Sequence, residues 1–112
     1  MRPLSIAACL ALLLPFSALA ADPYASASGD AKAGQQLTYT CQGCHGVTGY
    51  RNAYPNYRVP RIGGQSKEYL VIALGEYKKG TRKHPTMQAQ SESFSAQDIA
   101  DIAAFLSTLK QK

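Results

Sequence analysis

The sequence predicts an all-α domain of three main helices joined by long loops that wrap a bound group. Three observations predict it. Apolar residues in three segments recur at three- and four-residue steps, the period of one helix face. No segment of useful length alternates apolar and polar residues as a half-buried strand does. The stretches between the helical segments are rich in Gly, Pro, Asn and Tyr. They are too long for plain connections in so small a domain unless they enclose something.

The elements follow in chain order. Met1-Arg2 is a short positive start, and Leu4 to Leu19 is an apolar run broken only by Ser5, Pro15 and Ser17. Ala18-Leu19-Ala20 offers the small residues that an export peptidase reads. Residues 1–20 therefore read as a secretory signal, cleaved after Ala20 or Ala21. The run is shorter than the roughly 20 residues a membrane-spanning helix needs, so the mature protein is not expected to be membrane-anchored. Residues 22–29, rich in Ala and Ser, read as a flexible leader, and residues 30–112 as one domain.

Asp30 is placed to cap the first helix. Gly34, Leu37, Cys41 and Cys44 share one face of it, and Gly34 permits close approach of another helix. Residues 46–64 show no period. Ser66 can cap the second helix, in which Tyr69, Ile72, Ala73 and Tyr77 recur at helical spacing with Leu70 and Leu74 beside them. Lys78-Lys79 suit its last turn and Gly80 its end. Residues 82–92, with Pro85 and Met87, read as a second irregular stretch. Ser95 and Asp98 have capping-box spacing. Ile99, Ile102, Ala103 and Leu106 then form the stripe of the last helix, widened by Phe105 and Leu109.

Removing residues 1–20 takes away Cys9 and Arg2, leaving Cys41 and Cys44 as the only cysteines and 11 basic against 7 acidic residues. The basic residues are scattered apart from the stretch Lys78–Lys83, and no groove with interleaved aromatics suggests nucleic acid. About 90 residues bury a modest core, so a small exported chain of this kind relies on a staple. Two cysteines three apart cannot tie distant segments together, whereas a covalent cofactor can.

Cys41-Gln42-Gly43-Cys44-His45 is the attachment sequence for haem c. On a helical turn, positions i, i+3 and i+4 lie on one side. Both thiols then reach the two vinyl groups on one porphyrin edge, and the imidazole of His45 projects towards the iron. A redox-active Cys-x-x-Cys needs a βαβ context, which is absent. A structural zinc site needs four ligands; Cys41, Cys44, His45 and His84 could supply them, but adjacent Cys44 and His45 suit a tetrahedron poorly. For a second protein ligand to iron, spacing alone leaves two candidates, Met87 and His84.

The chain resembles class I c-type cytochromes of the small bacterial c-553 kind and the halves of dihaem c-four proteins. The resemblance covers about Gly29 to Lys110. It rests on Gly29-Asp30 with Ala33-Gly34, on Val59-Pro60-Arg61-Ile62-Gly63-Gly64-Gln65, on Tyr69-Leu70, on Lys79-Gly80-Thr81-Arg82, on Met87, and on Phe94-Ser95-Ala96-Gln97-Asp98-Ile99 with Ala103-Ala104-Phe105-Leu106. It implies a cytochrome c-like fold with one covalent haem, His45 as proximal and Met87 as distal axial ligand. It further implies that the Pro60 carbonyl accepts from Nδ1–H of His45, and that the first and last helices cross with Gly34 near Phe105. The sequence departs from that pattern in the Tyr- and Arg-rich loop 46–58, whose role is unassigned.

The implied function is periplasmic one-electron transfer between redox proteins, from a donor dehydrogenase or membrane complex to an acceptor oxidase or reductase. The chain itself is then a carrier and not an enzyme. Lys78, Lys79, Arg82 and Lys83 would either steer an acidic partner or form a solvated helix end. Two rival readings stand beside it. One is a haem subunit of a dehydrogenase or sulfur-compound oxidoreductase. The other is a gas-binding or peroxidase-like haem with an open sixth position.

Overall fold

The computed structural model describes Tyr24, residues 27–47 and residues 59–110. The expected signal segment and most of the Tyr/Arg-rich stretch 46–58 lie outside the described residues. Those described form α1 (Ala31–Leu37), α2 (Tyr39–His45), α3 (Lys67–Lys79), α4 (Pro85–Glu92) and α5 (Ala96–Thr108), with no strand among them. The all-α expectation holds, with five helices where three main ones were expected.

α5 is the centre of the packing. It crosses α1 on one side and α3 on the other, and α4 lies on α3. Ile99, Ile102 and Leu106 of α5 are fully buried, each removal from water worth about 1.5–3 kcal/mol. Val47, Leu70, Val71, Phe94, Ala103 and Phe105 complete the core, with Leu109 packed against it. The expected stripe on α5 is the observed one.

The α1–α5 crossing is close because Gly34 sits in it. A Cβ there would lie 1.9 Å from the carbonyl oxygen of Asp101 and 3.0 Å from the nitrogen of Ile102. The partner of Gly34 is thus the Asp101–Ile102 backbone, one turn before the expected Phe105. Asp101 is buried and holds the start of α1. Its Oδ1 accepts from the backbone N–H of Asp30 at 2.7 Å and from Nε2 of Gln97 at 2.8 Å. Gln97 Nε2 also reaches the Ser28 carbonyl at 2.8 Å, and Tyr24 packs on the core beside Gly75. Tyr24 and Ser28, within the expected leader, thus touch the folded domain.

Three expectations about local structure are corrected. The single first helix is divided at Thr38, which is fully buried. Its Oγ1 donates to the Gln35 carbonyl at 2.9 Å, competing with the helical backbone pattern. On α3 the core face is Leu70, Val71 and Gly75, while Tyr69 and Ile72 are exposed. Residues 69–74 are all apolar or aromatic, so period alone does not choose between faces. Finally, residues 85–92 are helical and not irregular. Pro85 occupies the first turn, where its missing N–H costs nothing, and His84 caps the helix. At the far end the Lys78 ammonium donates to the carbonyls of Glu92 and Phe94.

Ser95 and Asp98 form the expected capping box on α5. The Asp98 N–H donates to Ser95 Oγ at 3.1 Å, and the Ser95 N–H donates to Asp98 Oδ2 at 2.8 Å. The Ser95 N–H and hydroxyl, in that order, hold the Asp98 carboxyl below the usual carboxylate range. A depressed folded-state pKa contributes stability above the unfolded pKa, and that stability is lost as pH falls through the folded one. Asp98→Asn should therefore lower stability at pH 7 by about 0.5–1 kcal/mol, the usual worth of an N-terminal charge and cap. The gap between variant and parent, measured by thermal unfolding, should close as pH falls below the ordinary carboxylate range.

Candidate functional site

α2 carries three of the five expected site residues. Cys41, Cys44 and His45 stand at i, i+3 and i+4 within Tyr39–His45 and share one face. Gly46 ends the helix at φ 65°, a left-handed conformation glycine adopts without strain, and its N–H closes on the Gln42 carbonyl. Both thiols are free and half-buried, and they form no disulfide. Burial pushes the Cys41 thiol up; the Thr40 hydroxyl, 4.0 Å away, opposes this and Cys44 adds to it. A redox-active Cys-x-x-Cys needs the opposite, a thiol pushed down.

Pro60 reaches the site from 15 residues away. Its segment is fastened to the core, with Gly64 N–H donating to the Leu106 carbonyl at 2.8 Å and Ile62 packed against the core cluster. His45 Nδ1 lies 2.7 Å from the Pro60 carbonyl oxygen. A carbonyl can only accept, so Nδ1 carries the proton, and in the neutral ring the lone pair is on Nε2. The bond holds the ring in one orientation, with Nε2 presented opposite to it. This donor set fits a c-type haem: two thiols for thioether bonds, and beside them an imidazole oriented through its other nitrogen.

Met87 stands apart from these four. It is half-buried in the first turn of α4, and its backbone N–H donates to His84 Nδ1 at 3.3 Å. Among the described residues, no three His, Cys, Asp or Glu side chains converge as a metal site requires, so His84 does not join Cys41, Cys44 and His45.

The basic stretch is bound into the fold more than the sequence suggests. Lys78 holds the end of α4, Lys79 lies 5.2 Å above the ring of Tyr24, and Arg82 lies 4.8 Å above the ring of Tyr77. Arg82 also donates to the Tyr69 hydroxyl at 3.5 Å. Their charges remain, but three of the four cations have structural contacts. Sequence reasoning missed Asp101, Lys78 as a cap and His84 as a cap. A charged residue on an apolar stripe signals the first. A polar residue directly before proline signals the last. The contact of Lys78 is tertiary and has no local signal.

Among the described residues, no helix is long and apolar enough to cross a membrane. The family model for cytochrome c matches residues 31–110. The chain is similar to cytochrome c4 of Azotobacter vinelandii, 38% identical over 95 residues, 77% of this chain and 44% of that one. It is similar to cytochrome c-554(548) of Halomonas halodenitrificans, 40% identical over 84 residues, 72% of this chain and 98% of that one. It is also similar to the cytochrome subunit of sulfide dehydrogenase of Chlorobaculum tepidum, 32% identical over 79 residues, 70% of this chain and 68% of that one. The chain spans less than half the length of the cytochrome c4 relatives it matches.

Proposed function

The chain belongs to the cytochrome c family, whose members hold haem c covalently, and on that premise we propose that it is an exported one-electron carrier. In this reading Cys41 and Cys44 would tether the haem, and His45 and Met87 would supply the protein ligands to its iron. The observation that carries it is the 2.7 Å contact from His45 Nδ1 to the Pro60 carbonyl. Such a bond prepares an imidazole for metal and strengthens its donation.

When bound, the haem supplies one-electron chemistry. The protein's own part is to hold still. α2 fixes both tethers and the imidazole on one rigid turn, and the Pro60 segment locks the ring through its bond to the end of α5. The thioether of Met87, as a ligand, would favour the reduced state and raise the potential.

The signal-like residues 1–20 support export to the periplasm, and the partners are then other redox proteins. A second reading is favoured by one relative's printed role as a sulfide dehydrogenase subunit: a haem subunit docked on a larger dehydrogenase. Purification of the full-length product after export tests the first reading. Intact mass should show loss of residues 1–20 or 1–21 and the addition of one haem that acid–acetone does not extract. The ferric spectrum should carry the long-wavelength band of methionine-ligated haem. Extractable haem, or a wild-type ferrous form that binds carbon monoxide readily, would sink it. Co-purification with a larger flavin-containing chain would move the conclusion to the second reading.

A further inference from the structure

We propose that His84 is the positioning residue for Met87, acting as the N-cap of the helix that carries it. The proposal rests on the reading of Met87 as the distal ligand. Met87 is the third residue of α4, and its own N–H is the group that His84 Nδ1 accepts, at 3.3 Å. The cap therefore fixes the backbone of the ligating residue itself. A methionine side chain has three rotatable bonds and a weakly donating sulfur, so its placement depends on a stiff backbone beneath it.

α4 has little intrinsic claim to stiffness. It is eight residues long, and a helix that short is marginal unless its ends are held. α3 and the loop after it hold both ends. Lys78 closes on the carbonyls of Glu92 and Phe94. Tyr77 meets the His84 ring edge-on, with centroids 6.4 Å apart and planes at 76°. Arg82 covers Tyr77 at 4.8 Å and reaches the Tyr69 hydroxyl. This explains a histidine where Ser, Thr, Asn or Asp is usual. The imidazole offers an acceptor nitrogen to the cap and an aromatic ring to Tyr77, which the shorter residues do not. His84 Nδ1 accepts, so His84 is held as the Nε2–H tautomer while the cap is made.

The test compares wild type, His84→Phe, His84→Asn and Met87→Ala as ferric holoproteins titrated with imidazole and followed by their visible spectra. Added imidazole competes with Met87, so its apparent affinity measures how firmly Met87 is held. H84F keeps a ring for Tyr77 and loses the acceptor; it should bind imidazole roughly two- to thirtyfold more tightly, the factor one helix N-cap represents. H84N keeps an acceptor and should stay within about twofold of wild type, since Asn caps well. Wild-type affinity in H84F overturns the proposal, as does an H84N variant as loose as H84F. If H84F fails to accumulate while H84N is normal, the cap is supported; if both fail, it is not. Met87→Ala separates the two layers. Should it bind imidazole no more tightly than wild type, Met87 is not the ligand and the underlying reading fails first.

Discussion

Gly34→Ala is expected to destabilise the protein by about 2–4 kcal/mol, a large part of the roughly 5–15 kcal/mol that holds a domain together. The added Cβ would sit 1.9 Å from the Asp101 carbonyl oxygen and 2.4 Å from its carbon. Both are backbone atoms of a buried helix, so no side chain can swing aside. α1 and α5 must part by more than an ångström along their crossing. Against this, alanine gains about 1 kcal/mol of helix propensity over glycine. Overpacking wins, because the separation also weakens the bond from Asp30 to Asp101 and loosens the Ile102 and Leu106 contacts. Gly43→Ala is the matched control. A Cβ there meets no atom of the described residues within 4 Å, so the propensity gain stands alone and the change should be neutral or slightly stabilising. Urea unfolding of the two holoproteins checks the pair. A G34A midpoint equal to that of G43A would show that the crossing can relax. Because α1 leads through Thr38 directly into α2, G34A should also lower the yield of haem-loaded protein.

The difference between those two glycines was half legible in the sequence. Gly34 falls on the same three- and four-residue period as Leu37 and Cys41, so its place on a packed face could be read. Its partner could not, because the register of two crossing helices is set by packing and not by either sequence alone. The same division runs through the rest of the fold. α5 was readable because its apolar stripe is clean and its capping box is local. α4 was not, because Pro-Thr-Met-Gln-Ala-Gln-Ser-Glu has no apolar period, and what holds it is His84 at one end and Lys78 from another helix at the other. The face of α3 was misplaced on Tyr69 and Ile72 for the opposite reason, an excess of apolar residues from Tyr69 to Leu74. In the site, Cys41, Cys44 and His45 were legible because their relation lies within one turn. Pro60 is 15 residues from His45, and only resemblance to known cytochromes pointed to it before the geometry did.

Met87→Ala is expected to open the sixth position of the iron, and it decides among three readings of the haem. In the proposed carrier, Met87 fills the position, wild-type ferrous protein leaves no room for carbon monoxide, and the alanine variant binds it readily. The reduction potential of the variant should fall by on the order of 0.1 V or more, within the roughly 0.8 V that axial ligands span, because the thioether that favours ferrous iron is gone. If the haem were of the open, gas-binding kind, wild type would bind carbon monoxide as well as the variant does. If His84 were the ligand, Met87→Ala would stay closed and His84→Ala would be the variant that opens. The observed cap argues against that last outcome: the His84 ring is already committed to the Met87 N–H through one nitrogen and to a T-shaped contact with Tyr77. Freeing it for iron would undo the first turn of α4. The alanine variant leaves that cap intact, since the bond it uses is to the backbone of residue 87 and not to its side chain. The opening it produces is therefore a loss of the sulfur alone, which a carbon monoxide titration and a potentiometric titration of the same sample measure independently.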